Sequence, residues 1–249
     1  MANKIVEILD IKINNVDMAE AKSKIDRYIQ DTEESKMIVT PNAEMIVRAR
    51  EDKELAAILN GADLRLPDGA GVVLASHIFK TPVRERVAGF DLMVELFSLA
   101  AQRDYTVYLL GGEPGVTDKA AEKIKEENRD INLLGTHHGY LDQELQKKVL
   151  KEINRLKPDL LFVGMGVPLQ EKFLNKNLSD LDVKVAVTVG GSFDVLAGEV
   201  DRAPLWMQKI GMEWFYRLLQ EPERLGRMMS LPRFVYMVLM ERLFKGKSK

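Results

Sequence analysis

The 249-residue sequence contains no cysteine, which excludes disulfide bonds, thiolate metal sites and a cysteine nucleophile. Histidine is scarce as well: there are three, of which His137 and His138 are adjacent, and no His-rich metal site is spelled out. No apolar run approaches the roughly 18 residues needed to cross a bilayer. The sequence opens with Met1-Ala2-Asn3-Lys4 instead of an apolar signal segment. We therefore expect neither a secretion signal nor a membrane-spanning helix.

The sequence has enough apolar residues to bury a core, but its charge is unevenly distributed. It is 46% hydrophobic and 30% charged, with a formal net charge of −2, which indicates a folded globular chain. Residues 202–249 carry ten Lys and Arg against four Asp and Glu, and they contain both tryptophans and six of the twelve methionines. This shift predicts two units: an α/β domain over 1–200 and a basic, aromatic-rich helical appendage over 201–249.

Short apolar runs alternate with helical patterns through most of the chain. Residues 5–13 alternate as an edge strand or a hairpin. Continuous apolar strands followed by helices predict an α/β fold that is Rossmann-like, with a mostly parallel sheet and helices on both of its faces. The predicted strands are 37–40, 62–66, 106–110, 132–135, 160–163 and 185–189. The predicted helices are 17–30, 43–60, 72–79 (buried), 90–103, 116–128, 143–156 and 169–177.

Glycine-rich turns follow three of these strands, beginning at Gly111, Gly164 and Gly190. None is a dinucleotide fingerprint or a P-loop, and each one alone is explained by a tight turn from strand to helix. Together they place several helix N-termini, which favour anions, at the carboxyl edge of the sheet. The set of turns therefore favours a phosphate-bearing ligand, of which a nucleotide is the simplest.

An aspartate lies between a proline and a glycine in Leu66-Pro67-Asp68-Gly69-Ala70-Gly71. Proline fixes the backbone before Asp68, and the glycines after it allow another molecule to approach closely. This is a way to present a carboxylate to a substrate. The alternative is that Asp68 caps the following helix, and the local sequence alone favours the cap.

Other polar residues follow predicted strands or lie in the loops between elements: Thr40, Asn42, Asp68, Arg86, Gln170 and Asp194. Asn42, Asp68 and Gln170 each follow a buried strand within a few residues, so they could face one crevice. Asp180-Leu181-Asp182 has the D-x-D pattern of many metal-dependent sugar-nucleotide enzymes. It lies between a helix and a strand, away from the glycine turns, and we interpret it as a solvated loop.

The tail combines large apolar side chains with arginines. Trp206, Ile210, Trp214 and Leu218 recur at helical spacing, Pro222 interrupts the pattern, and Pro232 opens a further apolar run over 234–240. One interpretation is that these helices pack on the core or on a second copy of the chain; the other is that they lie at a membrane interface. Lys and Arg are not dense enough to make nucleic-acid binding the first choice.

Seven sequence blocks resemble, in the same order, the signature blocks of the WecG/TagA/CpsF family of bacterial glycosyltransferases. The resemblance runs from about residue 8 to residue 233, and Arg202-Ala203-Pro204 resembles the TagA branch, which makes the linkage unit of wall teichoic acid. The blocks are Thr40-Pro41-Asn42-Ala43-Glu44, residues 66–71, 84–91, 108–112, Gly139-Tyr140, 163–171 and 189–194.

The resemblance implies an inverting transfer of N-acetylmannosamine from its UDP derivative to the 4-hydroxyl of N-acetylglucosamine on undecaprenyl diphosphate. It implies no cofactor and no metal. The partners would be the UDP-sugar, the polyprenyl-diphosphate acceptor and an anionic membrane surface, at the cytoplasmic face of the plasma membrane, with the protein bound peripherally. The exposed tail could equally mediate self-association. Two alternatives stay open: another donor, UDP-N-acetylmannosaminuronic acid or UDP-glucose, and a non-catalytic nucleotide-binding scaffold.

The resemblance also implies roles for individual residues. Asp68 matches the general base, and Arg86 matches the residue that stabilises the departing diphosphate. The residues implied to hold the donor and the sugars are Thr40, Asn42, Gln170, Tyr140 and Asp194, with the turns at Gly111, Gly164 and Gly190. Those implied to hold the lipid diphosphate are Arg217, Arg224 and Arg227.

Overall fold

The computed structural model describes residues 4–31 and 33–245, except for the side chains of Arg224 and Lys245. Its strands are β1 Ile5–Ile8, β2 Ile11–Asn14, β3 Lys36–Val39, β4 Leu64–Arg65, β5 Thr106–Gly111, β6 Asn132–His137, β7 Leu160–Gly164 and β8 Val185–Thr188. Its α-helices are α1 Met18–Asp31, α2 Ala43–Ala49, α3 Lys53–Gly61, α4 Gly69–Ile78, α5 Gly89–Arg103, α6 Val116–Glu127, α7 Gln143–Leu156, α8 Leu169–Asn177, α9 Ser192–Leu196, α10 Leu205–Lys209, α11 Glu213–Gln220, α12 Leu225–Met228 and α13 Ser230–Lys245. Single 3₁₀ turns cover Leu178–Asp180 and Pro222–Arg224.

Six strands form one parallel sheet in the order β4-β3-β8-β7-β5-β6. Side chains alternate between two apolar layers along each strand: Tyr108 and Leu110 face one layer, and Val107 and Leu109 face the other. The first layer includes helices α2, α3, α4, α7, α8 and α13, and the second includes α1, α5, α6 and α9. Burial on both faces explains why the strands are apolar throughout. The α/β prediction is confirmed.

The chain leaves β5 toward β6 on one side and leaves β7 toward β8 on the other. Such a reversal creates a crevice at the carboxyl ends of the strands, where ligands bind in sheets of this kind. Gly111 and Gly164 face each other there as register partners. A Cβ atom on Gly111 would lie 2.3 Å from the carbonyl oxygen of Gly164, so the close approach of these strand ends requires glycine.

Residues 5–13 form the antiparallel hairpin β1–β2, which was one of the two predicted forms. The predicted helix over 43–60 is wrong as one element: it divides into α2 and α3. Asp52 starts α3, because its side chain accepts a hydrogen bond from the Leu55 backbone N–H. The predicted strand over 62–66 contracts to β4, and the strand predicted over 132–135 extends to His137.

Helix α4 is only partly buried, contrary to the prediction for 72–79. Val72 and Ala75 are buried, whereas Leu74 and His77 are exposed. The apolar sequence made the whole helix look internal, but one side of it faces a cavity.

The tail is a series of short helices and not one continuous helix from Ala203 to Leu218. Gly211 adopts φ +74° between α10 and α11, a left-handed conformation that a helix cannot continue through. Pro232 does not open the last helix either, since α13 begins at Ser230 and the proline lies within its first turn, where a proline is tolerated.

Helix α13 packs on α2 and α4. Phe234 and Val238, one turn apart, are each about 1% exposed and belong to the same apolar layer as Met45 and Val72. Core packing therefore describes one face of this helix, whereas Tyr236 and Leu239 are exposed on it. Within residues 4–31 and 33–245, no helix is both long and apolar enough to cross a membrane.

Candidate active site

A cavity of about 1000 Å³ lies where β3, β4 and β8 end, between the sheet and the helices of the tail. Among its lining residues are six of those predicted from polar positions or family blocks: Thr40, Asn42, Asp68, Arg86, Gln170 and Gly190. The parallel register places the carboxyl ends of adjacent strands at one edge, which explains why residues far apart in sequence meet here. The predicted convergence of Asn42, Asp68 and Gln170 on one crevice is confirmed.

Asp68 occupies the N-cap position of α4, but its side chain makes no capping hydrogen bond. The cap interpretation is therefore wrong for the carboxylate, which lines the cavity instead. Burial raises the pKa of Asp68 to about 6, although Arg86 and the backbone N–H groups of Gly89 and Gly69 act to lower it. A carboxylate with this pKa is mostly ionised at neutral pH, yet is a stronger base than an exposed aspartate.

Arg86 lies beside Asp68 because two loops are joined by a backbone hydrogen bond. The Val87 N–H donates to the Pro67 carbonyl at 2.9 Å, and Arg86 Nε then lies 3.8 Å from Asp68 Oδ1. Arg86 Nη2 also donates to Glu213 Oε2 of α11 at 2.7 Å. Burial opposes the charge of Arg86, but the carboxylates of Asp68 and Glu213 outweigh it and raise its pKa, so the guanidinium stays protonated.

Three predicted sugar-binding residues have defined places on the cavity wall. Asn42 caps α2, because its Oδ1 accepts from the Met45 N–H at 3.0 Å. Thr40 is 7% exposed. Gln170 has both ends of its amide engaged: Oε1 accepts from the Gly190 N–H at 3.0 Å, and Nε2 donates to Glu171 Oε1 at 2.7 Å. Gln170 therefore fixes the turn after β8 as well as lining the cavity.

Glu171 is a buried acid that the sequence reasoning missed. It is fully buried, and its Oε2 has no hydrogen-bond partner within the described part of the chain. Burial raises its pKa to about 7, while the hydrogen bond from Gln170 lowers it. Helical spacing is the sequence feature that could have revealed it. Glu171 precedes Leu174 by three residues and so lies on the buried side of α8, where an acid is unusual.

Four predicted nucleotide-binding residues lie outside the lining of this cavity: Tyr140, Asp194, Gly111 and Gly164. Gly111 and Gly164 lie at the crevice between β5 and β7. The ring of Tyr140 is 65% exposed, and its hydroxyl lies 3.4 Å from Glu113 Oε1. Asp194 Oδ2 lies 3.6 Å from Arg217 Nη2. The roles of these residues toward uridine stay predictions.

The tail contributes arginines to the same cavity. Arg217 and Arg227 line it, whereas the side chain of Arg224 lies outside what the structure describes. Arg217 donates to the Gly191 carbonyl at 3.2 Å and to Glu221 at 2.9 Å, which attaches α11 to the turn after β8. The tail thus forms one wall of the cavity.

No group of three or more His, Asp and Glu residues is placed to hold a metal ion among the residues that the structure describes. Asp180 and Asp182 are exposed, and Asp182 pairs with Lys157 at 2.5 Å. The two aspartates of this D-x-D segment are solvated, as predicted, although Asp180 ends a 3₁₀ turn and Leu181 between them is buried. Independence from metal stays a prediction.

The sheet and its cavity define an α/β enzyme that places a carboxylate and a guanidinium together at the carboxyl ends of its strands. Residues 6–248 match the profile of the Glycosyl transferase WecG/TagA/CpsF family, and the chain belongs to that family of glycosyltransferases. The family predicted from the seven sequence blocks is confirmed.

Three curated relatives have the name N-acetylglucosaminyldiphosphoundecaprenol N-acetyl-beta-D-mannosaminyltransferase. The protein of Bacillus subtilis (strain 168) is 35% identical over 87% of this chain and 84% of its own length. That of Bacillus spizizenii (strain ATCC 23059 / NRRL B-14472 / W23) is 36% identical over 91% and 90%, respectively. That of Staphylococcus aureus (strain MRSA252) is 35% identical over 94% and 91%.

Proposed function

We propose that this chain transfers N-acetylmannosamine from UDP-N-acetylmannosamine to the 4-hydroxyl of N-acetylglucosamine on undecaprenyl diphosphate, the reaction that builds the linkage unit of wall teichoic acid. The names of the relatives support the donor sugar and the acceptor. The observation that carries the proposal is the pairing of Asp68 with Arg86 in the cavity, with a pKa of about 6 for the carboxyl.

The chemistry is a single displacement that inverts the anomeric carbon. Asp68 takes the proton of the acceptor 4-hydroxyl as the oxygen attacks C1 of the donor sugar. The bond from C1 to the diphosphate oxygen breaks on the opposite face, and UDP leaves with the bonding electrons. This resembles the base half of an inverting glycosidase, with a sugar hydroxyl in place of water.

The leaving diphosphate gains negative charge, and Arg86 is the group that neutralises it. A guanidinium can bind two phosphate oxygens at once, which suits a diphosphate better than a point charge does. Because a cation is already in place, the proposed reaction needs no metal. Thr40, Asn42 and Gln170 line the same cavity and orient the sugars.

The acceptor is lipid-linked, so the site works at a membrane surface, which we place at the cytoplasmic face. The tail offers exposed Trp206 and Ile210, which are 62% and 60% exposed. Arg217 and Arg227 line the cavity next to it and suit the lipid diphosphate.

A donor panel tests the reaction. The purified chain is incubated with a polyprenyl-diphosphate N-acetylglucosamine acceptor and with UDP-N-acetylmannosamine, UDP-N-acetylmannosaminuronic acid or UDP-glucose, each with and without a chelator. We expect transfer from UDP-N-acetylmannosamine alone, unchanged by the chelator. Faster transfer from another donor would replace the proposed sugar, and UDP binding without any transfer would favour a nucleotide-binding scaffold.

The Asp68→Asn variant tests the base in the same assay. It removes the proton acceptor at constant size, so we expect turnover to fall by about 10² to 10⁴-fold while UDP still binds. Asp182→Asn is the matched control, because that aspartate is exposed and does not line the cavity; it should retain normal turnover. Near-normal turnover of Asp68→Asn would remove Asp68 as the base.

A further inference from the structure

The carboxylate of Glu213 lies between two arginines on the cavity wall. Its Oε2 accepts from Arg86 Nη2 at 2.7 Å, and its Oε1 lies 3.7 Å from Arg202 Nε. Glu213, Arg86 and Arg202 all line the cavity next to Asp68. One carboxylate thus sits where two guanidinium groups converge, an arrangement that also suits phosphate oxygens.

Both arginines keep an unused donor at this point. Arg86 Nε and Arg202 Nε are buried, and neither has a hydrogen-bond partner among the described residues. The separations of Arg86 Nε from Asp68 and of Arg202 Nε from Glu213, at 3.8 and 3.7 Å, are ion-pair distances too long for hydrogen bonds. Two buried N–H donors without acceptors are costly, so a ligand with more oxygen atoms than one carboxylate would satisfy them.

The rest of Arg202 is held firmly in place. Its Nη2 donates to Asp91 at 2.6 Å, and its guanidinium carbon lies 4.6 Å from the centroid of the Phe90 ring. Asp91 and the ring of Phe90 fix the plane of the guanidinium, which limits the conformational entropy lost when an anion binds.

We propose that Arg202 and Arg86 form a diphosphate-binding site, and that the Glu213 carboxylate occupies this site until a diphosphate displaces it. The inference rests on the proposed function, since it names a further binding residue of the same cavity. The balance of charge supports the displacement. The carboxylates of Asp68, Asp91 and Glu213 already neutralise the two guanidinium groups, so a further anion needs one of these carboxylates to leave. A diphosphate therefore binds there only when Glu213 withdraws from Arg86.

Binding titrations without turnover test the site. Wild type, Arg202→Gln and Glu213→Gln are titrated by calorimetry with UDP, with uridine and with geranyl diphosphate. Loss of one charge-assisted contact should weaken diphosphate binding about tenfold in Arg202→Gln. Glu213→Gln removes the competing anion and should strengthen it severalfold, an effect that misfolding cannot produce. Uridine, which lacks phosphate, should bind all three proteins equally.

The two diphosphates distinguish the source of the ligand. If the two variants change the affinity for UDP, the site holds the donor. If they change the affinity for geranyl diphosphate, it holds the lipid acceptor. Either result supports the site. The proposal is overturned if Glu213→Gln strengthens the binding of neither ligand, or if Arg202→Gln weakens the binding of neither.

Two control variants separate binding from structure. Asp91→Asn breaks the other ion pair of Arg202 but keeps the guanidinium, so it should weaken diphosphate binding less than Arg202→Gln does; an equal loss in the two variants would contradict the proposal. Arg233→Gln breaks a matched arginine–carboxylate pair with Glu51 outside the cavity and should bind UDP normally. If the expected binding pattern appears but no sugar is transferred, the diphosphate site stands and the proposed reaction does not.

Discussion

At the scale of single residues, two carboxyl groups have strongly altered acidity for the same reason. Asp68 is partly buried and Glu171 is fully buried, and burial raises their pKa values to about 6 and about 7. Their neighbours differ. Asp68 faces the cavity and an arginine, as a proton acceptor requires, whereas Glu171 is enclosed in protein and contacts Gln170. The two groups should therefore affect different measurements.

We expect kcat/KM to rise with pH through a midpoint of about 6, the pKa of Asp68. The base works only when it is deprotonated, so the rate falls as pH drops below that value. The measurement is a pH–rate profile of wild type and of Glu171→Gln. The rise in kcat/KM near pH 6 should persist in Glu171→Gln. If it disappears in that variant, the group that titrates is Glu171 and not Asp68.

Glu171 should make the free energy of unfolding depend on pH. Its pKa is raised from 4.5 in the unfolded chain to about 7 in the folded one. The stabilisation that protonated Glu171 contributes to the fold is therefore fully present below pH 4.5 and is lost as pH rises through about 7. The loss at pH 8 amounts to roughly 3 kcal/mol. Glu171→Gln, which cannot ionise, should gain stability relative to wild type between pH 5 and pH 8.

Urea denaturation at those two pH values measures the difference. Glu144→Gln is the control, since that side chain is 77% exposed on α7. The same variant-to-wild-type difference at both pH values would contradict the raised pKa of Glu171.

At the scale of elements, the site depends on how closely strands and helices approach. Gly111 has φ +150°, and its Cα faces the Gly164 carbonyl across the pair β5–β7. Helix α13, although it belongs to the tail, inserts Phe234 and Val238 between α2 and α4. Asp68 precedes α4 and Asn42 precedes α2, so packing of α13 affects the two helices whose N-termini carry these site residues.

Gly111→Ala should destabilise the fold by about 3 kcal/mol, because the new methyl would collide with the Gly164 carbonyl in a backbone conformation that favours glycine. Urea denaturation measures the loss. Gly61→Ala is a matched control, since a Cβ there has no neighbour within 4 Å in the described structure. Equal stabilities of the two variants would refute the close contact between β5 and β7.

Phe234→Ala should cost about 4 kcal/mol of unfolding free energy, because it removes a fully buried ring and leaves a cavity between α13, α2 and α4. Tyr236→Ala, at a side chain that is 63% exposed on the same helix, should change it by less than about 0.5 kcal/mol. Thermal and urea unfolding of both variants provide the comparison. A small effect at Phe234 would mean that α13 is detached from the core in solution.

At the scale of the whole molecule, charge and exposed apolar area are concentrated at one end of the sequence. The tail is basic while residues 1–201 are acidic overall, and it carries many of the large exposed apolar side chains. One face of the tail packs on the core, one closes the cavity, and one stays exposed. The exposed face is the surface available for a membrane or for a second copy of the chain.

We expect the protein to sediment with vesicles that contain phosphatidylglycerol, and to do so less at high salt, because basic residues and exposed apolar side chains act together. Trp206→Ser combined with Ile210→Ser should weaken the binding. Ile5→Ser, at an exposed apolar position of the β1–β2 hairpin, is the control and should bind as wild type does. Vesicle binding that the tail substitutions leave unchanged would defeat the assignment of the tail to the membrane.

The α/β fold and the family were predictable from the sequence because both follow local patterns. Apolar runs of strand length that alternate with helical periodicity predict the layers of the fold. The ordered blocks around Asp68, Arg86 and Gln170 identify the family, and recognising them requires no knowledge of which residues are in contact. The exact ends of the helices and strands were harder to predict from the sequence. The break at Gly211 and the cap at Asp52 depend on single backbone conformations, which hydrophobic periodicity does not report.

The sequence by itself determined a cysteine-free α/β glycosyltransferase with a carboxylate held between a proline and a glycine. Only the tertiary structure decided what that carboxylate faces. Whether Asp68 caps a helix or lines a cavity depends on Arg86, Gly89 and Glu213, which are brought to it by loops and by the tail. The pKa of Asp68 likewise arises from burial among residues distant in sequence, and so does the position of Glu213 between Arg86 and Arg202. Burial and charge pairing are set by distances in space, which the order of residues along the chain does not contain.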